Sequence, residues 1–186
     1  NRIAFTHQPN PLINSSIKSD ISLLDLSSKQ IFSAIKNPSS DNFATWSPDS
    51  KSFLYFSHLS DTVSHFYKNN RLFRYDLNTK SSVGVATKFD ENMSNVSWTP
   101  QGLFMIASQK TKRHIFKIDL LSDLTQIISN NNDFISSMSF SKNGNKLSFT
   151  AQSPSTITEI FHSELLNFRP IALTEMNKQI SNWNTG

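Results

Sequence analysis

Cysteine is missing altogether from the 186 residues. Its absence excludes disulfides and thiolate metal sites, and it removes the usual evidence about redox compartment. Glycine is nearly as scarce, at Gly84, Gly102, Gly144 and Gly186. None of the four frames a serine in the G-x-S-x-G elbow of α/β-hydrolases. Neither a G-x-x-x-x-G-K-[ST] phosphate loop nor a G-x-G-x-x-G nucleotide turn can be written, and H-E-x-x-H does not occur. No apolar run approaches the ~18–20 residues that cross a bilayer as a helix, so no membrane partner is expected. Charge of either sign is thin, 18 Lys+Arg against 14 Asp+Glu for a net +4. The densest cluster, Lys110, Lys112, Arg113 and His114, reads as a solvated hairpin turn whose charge discourages edge pairing. No stripe of basic residues with interleaved aromatics extends from it, which argues against a nucleic-acid partner.

What the chain does have is phenylalanine, 15 copies of it, and a repeat. The stretch FATWSPDSKSFLYFS (43–57) reads as a strand, a tight turn and a second strand. Pro48 pre-sets a turn, and Asp49 beside it can bond back to the local backbone. The same order of small-polar residue, aromatic, turn and apolar strand returns in NVSWTPQGLFMIAS (95–108) and SMSFSKNGNKLSFTA (137–151). The anchors Trp46, Trp98 and Phe140 stand 52 and 42 residues apart. A third-strand motif repeats as well, in DISLLDL, LFRYDL, IFKIDL and a degenerate IFHSEL. Its acids fall at Asp25, Asp76, Asp119 and Glu164. A period of roughly 40–50 residues made only of strands is the signature of propeller blades. The fold class expected is therefore all-β, a β-propeller with about four blades of four antiparallel strands, a partial ring of a larger propeller. The blades are expected near 1–35, 43–87, 93–130 and 135–174, the first lacking its inner strand.

Period 2 places Phe73, Tyr75 and Leu77 on one face of a strand and Arg74 and Asp76 on the other; Phe116, Ile118 and Leu120 oppose Lys117 and Asp119 in the same way. An acid repeated once per blade reads as a turn-forming device rather than as paired catalytic carboxylates. The longest insertion, 58–70, carries His65, Phe66 and Tyr67 at its tip, an aromatic loop able to line a ligand path or to pack on a neighbouring loop. Residues 130–133 read as a polar loop between blades. The histidines are His7, His58, His65, His114 and His162. His58, Asp61 and His65 come nearest to a metal set but lack a third firm ligand. No catalytic residue, metal ligand or cofactor is assigned, and the substrate-binding residues stay unknown.

The hairpin WSPDSK, with weaker copies WTPQG and FSKNGNK, resembles the SPDGK-type hairpin of TolB-like propellers and of the propeller in the prolyl oligopeptidase family of serine peptidases. Two further stretches resemble the peptidases, specifically the acylaminoacyl- and dipeptidyl-peptidase-like members. IAFTHQPNPLINSSIKSDISLLDL is similar to a strand ending in H-Q-P, then a loop and an S-D-I-x-L-x-D-L strand. The closing PIALTEMNKQISNW is similar to a last blade whose L-T-x-x-N segment hands over to the catalytic domain. The resemblance covers essentially the whole chain. It implies a propeller that gates and positions peptides for a separate C-terminal α/β-hydrolase domain, with the Ser-Asp-His triad beyond Gly186. No Glu-Glu pair occurs, so exopeptidase and endopeptidase both stay open. A TolB-like module binding a protein or peptide is the alternative.

Residues 175–186 read either as a linker towards the hydrolase domain or as the start of a further blade, because Ile180-Ser181-Asn182-Trp183 looks like another inner strand. That strand could belong to a larger ring or close a four-bladed one. The opening Asn1-Arg2-Ile3-Ala4-Phe5 reads as the middle of a strand, so a piece of a longer protein is expected. Such a piece would leave apolar faces uncovered, and self-association into a homo-oligomer is expected with it.

Overall fold

The computed structural model describes residues 1–58, 68–129, 134–154, 156–180 and 183. The chain divides into two compact units, Asn1–Asn92 and Met93–Gly186.

In the first unit, β1 (Arg2–His7), β2 (Asp20–Asp25) and β3 (Ile31–Ile35) form a three-stranded antiparallel sheet. A 3-10 helix over Ile13–Lys18 occupies the connection from β1 to β2. The second sheet has four strands, β4 (Asp41–Trp46), β5 (Ser52–Ser57), β6 (Arg71–Asp76) and β7 (Ser81–Val85), paired in sequence order. Register brings Trp46 opposite Phe53 and Phe53 opposite Tyr75, so the rings meet across three strands. Trp46 meets Phe53 edge-on at 5.6 Å between centroids, and Phe53 lies 5.0 Å from Tyr75. Ile21, Leu23 and Ile35 of the first sheet share a core with Phe53, Tyr55 and Tyr75 of the second.

The 43–57 hairpin closes as its residues dictate. Ser47 Oγ donates to Asp49 Oδ1 (2.6 Å), which also accepts the Lys51 amide (3.0 Å). The reversal puts Ser50 at φ 58°. In the 137–151 hairpin a glycine, Gly144, takes φ 75° instead.

The second unit repeats the plan with β8 (Met93–Thr99), β9 (Gly102–Gln109), β10 (Lys112–Ile118) and β11 (Thr125–Ile127). These are followed by β12 (Phe134–Phe140), β13 (Lys146–Ser153), β14 (Thr156–Glu164) and β15 (Ile171–Ala172). The two four-stranded antiparallel sets meet at one parallel bridge, Arg113 opposite Phe134. Ile106, Ile115, Ile135, Leu147, Phe149 and Ala151 form the core. Asn95 Nδ2 donates to the Ser136 carbonyl (3.0 Å) and Gln101 Nε2 to the Asn143 carbonyl (3.3 Å), tying one set to the next.

Three readings of the sequence change here. The alternation expected of the third strands is too simple: adjacent Ile115 and Phe116 are both buried, and Leu72 is buried although it faces away from Phe73. Middle strands are covered on both faces, as in any sheet stacked between layers. Of the basic cluster, only Lys110 sits in the turn; Lys112, Arg113 and His114 open β10. At the far end, Lys178–Ile180 form a 3-10 turn rather than the start of a strand, and Trp183 is exposed. Ser181 and Asn182 lie outside the described residues.

Candidate functional site

Antiparallel pairing in sequence order gives each blade-like sheet two unlike ends. The repeated acids all belong to the turns at one end. The Asp25 carboxylate accepts the amides of Ser27 and Ser28, Asp76 those of Asn78 and Thr79, and Asp119 those of Leu121 and Ser122. Backbone amides hold all three carboxyls below the usual carboxylate range, led by Ser28, Thr79 and Leu121 respectively. Glu164 is one methylene longer and pairs instead with Lys146 at 3.2 Å. Every one of these acids is engaged locally, so none converges on a shared substrate position.

Two concavities open near this end. One of about 490 Å³ is lined by Arg2, Asp25, Trp46, Ser50 and Leu77. The other, of about 600 Å³, is lined by Gly102, Lys117, Asp119, Leu121 and Leu124. Their acids are the turn acids, already committed to backbone amides. Size alone does not make either a reaction site.

In the first unit the opposite end carries the longer connections, those from β1 to β2 and from β5 to β6. In the first unit His7 Nε2 meets Ser22 Oγ at 2.9 Å. Arg71 donates through Nη2 to Asp90 (2.9 Å) and through Nη1 to the Phe89 carbonyl (3.0 Å), and the guanidinium holds the Asp90 carboxyl below its ordinary value. Asp41, at the start of β4, is buried. Its Oδ2 accepts Asn37 Nδ2 at 2.6 Å, while Oδ1 has no hydrogen-bond partner among the described residues. Burial raises its pKa, against a smaller opposing effect from the nearby Ser57 hydroxyl. Nothing in the sequence marks Asp41, because burial here comes from strands remote in the chain.

His58, just after β5, is half-buried; Asp61 and His65, with the aromatic tip at Phe66 and Tyr67, lie outside the described residues. Among the described residues no three His, Cys, Asp or Glu gather closely enough to hold a metal ion. His114 Nδ1 approaches Ser129 Oγ at 3.4 Å, and His162 sits within β14.

Beside β15 the structure assembles a contact that the sequence only hints at. Glu159 of β14 accepts the Thr174 hydroxyl, the Met176 and Asn177 amides (both 3.1 Å) and Asn177 Nδ2 (3.0 Å). These donors, the Thr174 hydroxyl foremost, hold its carboxyl below the usual value. Thr174 and Asn177 are the T and N of the L-T-x-x-N segment. The motif is thus a clasp onto the neighbouring strand.

No protein-family model matches the chain, and no curated protein matches it. Solved structures do. TolB from Acinetobacter baumannii superposes with a TM-score of 0.70 at 17% identity, covering 93% of this chain and 40% of that one. The β-propeller domain of the trilobed protease from Pyrococcus furiosus gives 0.69 at 14% identity, covering 97% and 51%. Pyrococcus horikoshii acylaminoacyl peptidase gives 0.70 at 13% identity, covering 96% and 26%. The fold is a β-propeller.

The three-stranded sheet and the three four-stranded antiparallel sets are accordingly propeller blades. No strand pairing closes a ring among the described residues. The chain spans less than two thirds of each of those three proteins. In the first unit the end that carries His7, Asp41 and Arg71 is the candidate functional site, since the acids at the other end are spent on their own backbone.

Proposed function

We propose that this chain is the propeller portion of a serine peptidase of the prolyl oligopeptidase family, non-catalytic by itself. In this reading it gates and positions peptide substrates for a separate α/β-hydrolase domain, which supplies the serine, acid and histidine. The observation that carries the reading is the likeness, over 96–97% of this chain, to the propeller of one protease and to a peptidase. It is joined by the IAFTHQP and L-T-x-x-N stretches, the second of which is clasped by Glu159. Its exopeptidase or endopeptidase character follows from neither.

A second reading stands on an equal superposition with TolB, namely a propeller module that binds a protein or peptide partner without chemistry. The polypeptide extended through whatever follows Gly186 separates the two when treated with a serine-reactive fluorophosphonate, the 186-residue chain serving as control. Labelling of the extended protein alone supports the peptidase. A folded extended protein that stays unlabelled supports the binding module.

A further inference from the structure

The strand β3 is the last of the first unit's three-stranded sheet, and no described strand pairs with its outer edge. The Asp25 amide bonds the Gln30 carbonyl at 2.9 Å, so in the alternation of an antiparallel pair Leu23 and Phe32 exchange the next bonds. Ile31 and Ser33 then turn their amides and carbonyls outward, away from β2. An edge of this kind is a template for one more strand.

Beside that edge lies a groove of about 490 Å³, lined by Arg2, Leu23, Phe32, Tyr75, Leu77 and Lys80. Leu23 and Tyr75 are buried and belong to the core shared by the two sheets, so the groove has a fixed floor. Phe32 faces the same side as Leu23, its partner across the ladder, yet remains 46% exposed. One wall of the groove is therefore an uncovered aromatic ring.

Cations stand at the rim. Arg2 meets Asp25 at 3.7 Å. Lys80 lines the groove and Lys29 precedes β3; both are exposed, and neither makes an ion pair among the described residues. The acids at this end are already engaged. Asp25 and Asp76 hold turn amides, and Asp49 holds the Ser47 hydroxyl and the Lys51 amide. Asp20, Asp41, Asp90 and Glu91 stand at the opposite ends of the strands. Asp61, outside the described residues, belongs by sequence to the β5–β6 connection.

We infer that β3 and this groove form a docking site for an extended segment of a partner protein. That segment adds a strand to β3, sets an apolar side chain on Phe32 and carries an acidic residue to Lys80. Backbone bonds give such a contact its affinity, and the side-chain groove gives it selectivity. Charge chooses the partner. A second copy presenting its own β3 in antiparallel pairing would bring Lys29 of one strand beside Lys36 of the other at both ends, and like charges there oppose it. The inference stands apart from both functional readings above, neither of which uses β3.

The test is fluorescence anisotropy of two labelled heptapeptides on the 186-residue chain. Both share a Thr-Val-Phe-Val-Thr core, followed in one by two acidic residues and in the other by two lysines. The acidic peptide should bind about fivefold more tightly at low salt, and the difference should shrink as salt is added. Lys80→Glu should abolish that preference. Phe32→Ala should weaken both peptides by about tenfold through lost apolar contact. Ser33→Pro deletes an outward amide while sparing the bonds to β2, and a loss of about fivefold is expected. An unchanged unfolding midpoint shows that each variant keeps its fold. Equal binding of the two peptides, binding of neither, or undiminished affinity in Phe32→Ala or Ser33→Pro overturns the inference. An apparent affinity that falls as the chain is concentrated places a second copy in the groove and overturns the choice of partner.

Discussion

Asp41 heads a chain of side chains, through Asn37 and Ser39 to Ser57, whose proton count can be followed. Asn37 Oδ1 accepts both the Ser39 amide and the Ser39 hydroxyl at 2.8 Å, which fixes the Asn37 amide so that Nδ2 faces Asp41. Ser39 has then used its proton, so in its 3.3 Å contact with Ser57 the donor is Ser57. Ser57 then has no proton left for Asp41, whose Oδ1 has no hydrogen-bond partner among the described residues. Because burial raises this carboxyl above its ordinary value, folding favours the protonated form. The contribution is fully present below the unfolded pKa and lost as pH rises through the folded one. Asp41→Asn, with an amide where the proton would be, is expected to fold at least as stably at neutral pH and to flatten that limb of a stability–pH curve. Asp41→Ala strands the Asn37 amide and should cost about 1–3 kcal/mol by denaturant titration. A wild-type curve that rises through the same window would refute a buried, protonated Asp41.

Ser50 shows a second residue-scale strain. A non-glycine side chain at φ 58° carries a cost that glycine escapes. Ser50→Gly is expected to stabilise the protein by about 0.5–1 kcal/mol, the gain reduced by glycine's greater freedom when unfolded. A lower denaturation midpoint in that variant would show that the Ser50 side chain has a role beyond the turn.

At the scale of the element, the decisive pairing is between β14 and the segment after β15. Glu159 gathers donors from Thr174, Met176 and Asn177, and Thr174 Oγ1 in turn accepts the Ile160 amide at 2.9 Å. The Glu159 pKa is lowered, so the clasp is present above the ordinary carboxylate value and lost as pH falls through the folded one. Glu159→Gln leaves one acceptor oxygen where there were two. Hydrogen exchange at Met176 and Asn177 should quicken in that variant while exchange in β13 is unchanged; unaltered rates at both positions would remove the clasp. The repeated turns were legible from the sequence because an Asp contacts amides two and three residues along. Glu159 was not, because its partners lie some fifteen residues away and only folding brings them alongside.

At the scale of the molecule, apolar side chains remain on the surface of each unit. Ile31 and Phe32 of β3 are exposed, as are Leu121, Leu166 and Ile171 in the second unit, Leu121 at 99%. Outer strands of this composition invite association. Sedimentation velocity is expected to show concentration-dependent self-association of the chain that persists in high salt. A monomer at all concentrations with a sharp, reversible unfolding transition would contradict it.

Much of this protein was determined by the sequence alone: the strand-and-turn repeat anchored at Trp46, Trp98 and Phe140, the blades that follow from it, and the turn role of Asp25, Asp76 and Asp119. These depend on contacts within a hairpin, where residue order and local chemistry suffice. Tertiary structure alone decided that middle strands are buried on both faces and that Asp41 lies in a serine-lined interior. Each of these depends on chain segments some twenty residues apart, brought together when one blade packs on the next and water is excluded between them.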